Sequence, residues 1–149
     1  MSVLVENLQK SVEVDTKQLR ELAERALAEE KADPASEVSL ALIDRETMRS
    51  LNQRYRGIDA PTDVLSFPMS DEKSFVPPVR LLGDVLVCPE VAAENATKLG
   101  HSLDEELSLL VVHGVLHLLG YSDESDEERK AMDARQKELL VTLGKAGRD

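Results

Sequence analysis

The sequence predicts a single α+β domain over residues 1–149, with an α/β-like order of elements: a small mixed sheet of about four strands flanked by about five helices. Three observations carry this expectation. Segments with apolar residues at helical spacing are interleaved with segments in which apolar residues alternate. The length of 149 residues suits one core, enough to bury about 70% of the surface the unfolded chain would expose. No internal repeat or linker divides the chain.

The elements follow in order. Val3-Leu4-Val5 starts a short strand, and Leu19, Leu22, Ala23, Ala26 and Leu27 fall on one face of a helix over 16–31. After the turn Asp33-Pro34-Ala35-Ser36, the alternation in Glu37–Ile43 reads as a strand, and Asp44 caps a helix running to about Tyr55. A loop over 57–62 precedes a strand at Asp63–Phe67 that Pro68 stops. Met69–Val79 holds Pro77-Pro78 and four polar or charged residues over 71–74, which suits a surface loop. Leu81–Cys88 returns to strand character, and Pro89 opens a helix that Gly100 ends. Ser102 and Glu105 form a capping box for the next helix, which Gly120 stops. Ser125 to Glu128 repeats that pattern before a last helix carrying Met132, Leu139, Leu140 and Leu143 and ending near Gly144.

Composition bounds the function. With 18 basic against 29 acidic residues the net charge is −11, which argues against coating nucleic acid through the whole surface. The acid is clustered, as in Asp123-Glu124-Ser125-Asp126-Glu127-Glu128, so a local basic face remains open to Arg54, Arg56, Lys73 and Arg80. No apolar stretch is long and uncharged enough to span a bilayer, and the N-terminus lacks the pattern of a secretory signal; a cytoplasmic location without membrane contact is expected. The one cysteine, Cys88, has no internal disulfide partner and is expected to pack in a strand.

The chemistry concentrates in the apolar run Leu107–Gly120. It contains His113 and His117, two of only three histidines, at i and i+4 on one helical face. Either imidazole can be a hydrogen-bonded core residue. Burying both without polar partners is costly, however, and one metal ion satisfies both. Beyond Gly120 the chain can return Asp123 as a third ligand, giving His-x3-His-x5-Asp with an open position for water; the alternative for Asp123 is a solvated acidic turn at the start of the last helix. Glu124 and Asp126 are weaker substitutes. In His-Glu-x-x-His peptidases the general base occupies the position held here by Gly114, so ordinary peptidase chemistry lacks its base. His101 precedes the capping Ser102 and stays outside the ligand set. Asp84 is a candidate acceptor for the outer ring nitrogen of a ligand histidine, or a turn residue after Gly83.

The run His113-Gly114-Val115-Leu116-His117-Leu118-Leu119-Gly120-Tyr121 resembles the signature of the YbeY family of bacterial endoribonucleases. Leu51-Asn52, Tyr55-Arg56-Gly57, Pro61–Pro68, Leu82-Gly83-Asp84 and Gly100-His101-Ser102 follow the family's order and spacing, so the resemblance covers roughly residues 35 to 123. It implies a metal bound in a cleft beside a sheet flanked by helices. The implied activity is zinc-dependent cleavage of single-stranded RNA in ribosomal RNA processing, including 3′-end maturation of the small-subunit RNA, and in ribosome quality control. Small-subunit ribosomal proteins are the implied partners, and no organic cofactor is expected. The resemblance also implies a functional arginine, Arg56, whose guanidinium can hold a phosphate and stabilise charge on its oxygens. His113 and His117 become catalytic as well as metal ligands.

The family pattern continues Gly-Tyr-Asp-His, whereas this chain reads Gly120-Tyr121-Ser122-Asp123, with Asp123 at the position of the third ligand. A carboxylate there adds negative charge, which weakens Lewis acidity, and its shorter side chain requires the turn to approach the ion more closely. Two other readings follow from the residues. One is a ribosome-associated binding or assembly factor whose metal is structural or weakly active, favoured by Asp123; the other is a metallopeptidase, opposed by Gly114. Two histidines and a carboxylate also accept iron, nickel or manganese, with zinc the default.

Overall fold

The protein, seen in a computed structural model, is described here over residues 1–69, 75–76 and 79–145. Alternation is most regular in β2 (Ser36–Leu42), where Ser36, Val38, Leu40 and Leu42 are buried and the residues between them are half-buried. A strand covered on both faces belongs inside a sheet. β2 pairs in parallel with β1 (Ser2–Asn7) on one side and with β5 (Val79–Val87) on the other, and β3 (Val64–Pro68) lies antiparallel to β5 at the far edge. The order is β1-β2-β5-β3, with the two-residue β4 (Phe75–Val76) antiparallel to the start of β5.

The parallel pairs require crossovers. Between β1 and β2 runs α1 (Thr16–Glu29), capped by Asp15. Between β2 and β3 runs α2 (Arg45–Arg56), whose cap Asp44 accepts from the Thr47 amide at 2.7 Å. The chain then adds α3 (Pro89–Leu99), α4 (Leu103–Leu118) and α5 (Asp126–Thr142). Val38, Leu40, Val85 and Val87 join Leu22, Leu27, Val111, Val115 and Leu139 in the main core, so α1, α4 and α5 pack on one sheet face. Met48 with Ile43, Leu65 and Cys88 forms a smaller core beneath α2 on the other face.

The elements expected from sequence are present, with shifts of a few residues at their ends. The capping box of α4 has both arms, the Ser102 hydroxyl accepting from the Glu105 amide and the Glu105 carboxylate accepting from the Ser102 amide, each at 3.1 Å. The expected loop over Met69–Val79 needs correction. Phe75–Val76 and the first residues of β5 pair as strands, and the Arg80 amide donates to Ala35 O at 2.9 Å. Composition does not show that Phe75–Val76 and Val79–Arg80 pair with each other, nor that Arg80 then lies beside β2. Residues 70–74 and 77–78, including Lys73, lie outside the described residues. Cys88 is fully buried and caps the start of α3, just past the strand rather than in it.

Candidate metal centre and cleft

Ten of the sixteen residues of α4 are buried, among them Leu107, Leu110, Val111, Val112, Val115, Leu116 and Leu118, as befits a helix that is apolar almost all round. Gly114 lets this helix lie directly on the sheet. A Cβ there would stand 2.5 Å from Val85 Cγ1 and 3.3 Å from Ser66 Oγ. The glutamate a zinc peptidase carries at this position has no room, and its direction is toward the sheet. His113 and His117, one turn apart, are half-buried and face the space between α4 and the edge strand β3.

Their ring nitrogens are arranged in pairs. His113 Nδ1 lies 2.9 Å from Gln136 Oε1 on α5, and His117 Nδ1 lies 3.1 Å from the backbone oxygen of Tyr121. A carbonyl oxygen only accepts, so Nδ1 carries the proton in each neutral ring and Nε2 is left with its lone pair. Those two Nε2 atoms face each other at 3.1 Å. Facing lone pairs repel unless a cation lies against both. Two nitrogens bound to a tetrahedral zinc at about 2.05 Å would be about 3.3 Å apart, so the spacing suits such an ion without rearrangement.

Asp123 comes to the same place but not to the same distance. Its Oδ2 is 3.9 Å from His117 Nε2, and its side chain is 61% exposed. Among the described residues no group of three acidic, histidine or cysteine side chains closes around one point. The short carboxylate reaches the rim of the histidine pair, and a shift of about half an ångström would bring Oδ2 to the spacing from His117 Nε2 that two ligands of a tetrahedral ion have.

A cleft of about 410 Å³ joins His113, His117 and Asp123 to Arg56, Thr62 and Ser66. Arg56 closes α2, where Gly57 at φ +72° turns the chain. The loop that follows is held by Asn52, a buried residue whose Nδ2 donates to Ala60 O at 2.7 Å. Asp63 continues this loop and anchors its end to α3, accepting from Asn95 Nδ2 at 3.2 Å. A second cleft of about 530 Å³ shares His117 and Asp123 and is flanked by Arg80. Arg54, Arg56 and Arg80 make no ion pair among the described residues, whereas Arg45, Arg49, Arg129 and Arg135 all do. Two of the four expected basic residues thus flank the clefts.

Asp84 is exposed on β5, and the outer histidine nitrogens go instead to Gln136 and the Tyr121 carbonyl. His101 lies outside the clefts, with Nε2 2.8 Å from the buried Glu106. Gln136 carries no local signal: it sits 23 residues beyond His113 in a helix of otherwise ordinary surface pattern.

Burial holds His117 below the ordinary histidine value of 6.5, with the neighbouring His113 acting in the same direction and the Tyr121 carbonyl and Asp123 opposing. The unfolded chain therefore takes up a proton that the folded chain resists. Stability of the metal-free protein should fall as pH drops below 6.5 toward the folded value, with no contribution from this group above it. Chemical denaturation at pH 7.5 and 5.5 checks this, and the fall should be smaller in His117→Gln; an equal fall in both proteins would remove His117 from the account. Because metal requires neutral imidazole, the same shift should let metal remain bound to a lower pH than an ordinary histidine allows.

A family model described as Endoribonuclease YbeY matches residues 4–144. A relative of that name from Pelotomaculum thermopropionicum is 44% identical over 148 residues, covering 96% of this chain and 97% of its own length. Another, from Nocardia farcinica, is 42% identical over 146 residues, covering 94% of this chain and 79% of its own. The solution structure of TM1509 from Thermotoga maritima aligns with a TM-score of 0.61 at 29% identity, covering 95% of this chain and 91% of that one. The order of elements, the histidine helix and these matches over nearly the whole length agree, and the chain belongs to the YbeY family.

Proposed function

We propose that this chain is a zinc-dependent endoribonuclease that cuts single-stranded RNA during ribosomal RNA processing. In this reading it acts at the 3′ end of the small-subunit RNA and in ribosome quality control, in the cytoplasm and beside small-subunit ribosomal proteins. The observation that carries it is the pair of Nε2 atoms, 3.1 Å apart, in one cleft with an arginine that has no carboxylate partner among the described residues. Family membership supports hydrolysis of RNA phosphodiesters, and the described helices include none long and apolar enough to cross a membrane.

His113 and His117 would hold the ion, with Asp123 moving in as the third donor. A divalent ion so held supplies Lewis acidity and a water acidified toward neutral pH. Arg56 would hold the phosphodiester and meet the charge that develops on its oxygens. The cleft is open between a helix and an edge strand, which suits a single strand that can bend into it. With a net charge of −11, attraction for a phosphate backbone must come from local groups such as Arg56 and Arg80 beside the clefts.

Zinc content and cleavage of a ribosomal RNA fragment, measured for the wild type, Arg56→Ala, Asp123→Ala and Asp123→His, test this. Arg56→Ala should keep its zinc and lose cleavage by about 10²–10³-fold, the usual cost of one charge-stabilising donor. Asp123→Ala should lose zinc, and Asp123→His should retain it and cut faster at neutral pH, having one fewer negative charge at the ion. A folded, zinc-loaded wild type that never cuts RNA, even with small-subunit proteins present, would overturn the nuclease reading in favour of a binding or assembly factor. The 3.9 Å gap at Asp123 is the observation on the side of that second reading.

A further inference from the structure

The turn that carries Tyr121 and Asp123 is tied to a residue 91 positions earlier in the chain. The Tyr121 hydroxyl donates to Glu30 Oε2 at 3.1 Å. The other carboxylate oxygen of Glu30 accepts from Arg135 Nε, and Arg135 Nη1 reaches Glu138 Oε2 at 3.0 Å. The Glu30 side chain is only 11% exposed, although it follows the last turn of α1 at the edge of the domain. A carboxylate so enclosed is costly unless both oxygens are engaged, and here both are.

This connection ends at the histidine pair. Tyr121 holds its side chain on Glu30 and its carbonyl on His117 Nδ1, so the orientation of one residue is fixed at one end and read at the other. Its amide donates to Leu116 O at 3.1 Å, which leaves the peptide little freedom beyond the tilt that the side chain sets. Asp123 stands two residues on. Beside Arg135 in α5, Gln136 accepts from His113 Nδ1. Two adjacent residues of α5 thus back both histidines, one directly and the other through Glu30 and Tyr121.

We propose that Glu30 is a positioning residue for the metal centre, acting through Tyr121 to hold His117 with its proton on Nδ1 and its lone pair toward the cleft. The proposal rests on reading the histidine pair as that centre. Glu30 touches neither the pair nor the cleft itself. Its role is to stop the 120–123 turn from tilting, which would release the His117 acceptor and carry Asp123 away together.

Zinc affinity by chelator competition, and the His117 tautomer by ¹⁵N NMR of the metal-free full chain, should be compared in Glu30→Ala, Tyr121→Phe, Glu30→Gln and Leu139→Ala. Partners of ligand histidines are worth 10–100-fold in metal affinity, so Glu30→Ala and Tyr121→Phe are expected to weaken zinc binding by about tenfold. Both should also populate the second tautomer of His117. Glu30→Gln keeps an acceptor for the tyrosine hydroxyl and should lie closer to the wild type than Glu30→Ala. Leu139→Ala removes buried side chain from α5 without touching these hydrogen bonds, and should lower the melting temperature with affinity and tautomer unchanged. If Glu30→Ala and Tyr121→Phe behave like Leu139→Ala, the proposal is overturned. If the wild type binds no zinc, the metal reading fails, and the tautomer comparison alone decides whether Glu30 positions His117.

Discussion

His117→Ala is expected to weaken zinc binding by more than about 100-fold, because even the outer partners of a ligand histidine are worth 10–100-fold and this change removes the ligand itself. Three features converge on that residue. Its Nε2 faces His113 Nε2, Asp123 Oδ2 comes within 3.9 Å of that same nitrogen, and its Nδ1 is held by the chain's own backbone. Cleavage of RNA should disappear with the metal. The cost in stability without metal should be small by comparison, since His117 is partly desolvated already and its protonated form is disfavoured. Thermal melts separate the two effects. Zinc at 100 times its dissociation constant stabilises a folded protein by about 2.7 kcal/mol, so the wild type should melt several degrees higher with zinc and His117→Ala should not respond. An equal zinc response in both proteins would place the metal elsewhere.

The largest loss of stability is expected from Gly83→Ala. Gly83 follows an irregularity in the β2–β5 pairing, where Glu37 faces Leu81 and Val38 faces Gly83, so Leu82 is the extra residue. Its φ of +138° is a conformation that side chains rarely adopt. A Cβ would also sit 2.2 Å from Phe67 O and 2.9 Å from Leu118 Cδ2. The first of these is backbone in β3 and cannot yield without opening the β3–β5 ladder. Strain of about 1–3 kcal/mol for the dihedral combines with the clash, giving a loss on the order of 4 kcal/mol, against a total stability of about 5–15 kcal/mol typical of such domains. β3 forms a wall of the cleft beside the histidine pair, so the cleft should widen as stability falls. Gly57→Ala is the control: it has φ +72° but open space around it, and should cost only about 1 kcal/mol. Urea unfolding measures both, and similar midpoints would mean that the close approach of β3 is not what requires glycine at 83.

The legible part of the candidate site lay along single elements. The i,i+4 spacing put His113 and His117 on one face, and the Ser102–Glu105 box and Gly120 set the limits of their helix. Arg56 was legible through its resemblance to a family motif rather than through any physical pattern, since one arginine at a helix end is ordinary. The loop over Met69–Val79 misled because a proline-rich, polar composition says nothing of the β5 backbone with which Phe75–Val76 pairs. Asp123 was legible as a candidate by position. Its 3.9 Å separation from His117 was not, because it depends on how the 120–123 turn is tied to α1 and α5.

The candidate residues and the element on which each stands can be read along the chain, because caps, periodicity and i,i+4 neighbours are fixed by bonds and contacts within about one helical turn. Packing of the whole chain set which of them meet. It brought β3 and Arg56 to the open side of α4, put Gln136 behind His113 across 23 residues, and joined Tyr121 to Glu30 across 91. These partners meet only after the sheet and helices have packed. A hydrogen bond between distant residues leaves no periodic trace in either segment, and it exists only where burial of the surrounding apolar surface brings its donor and acceptor together.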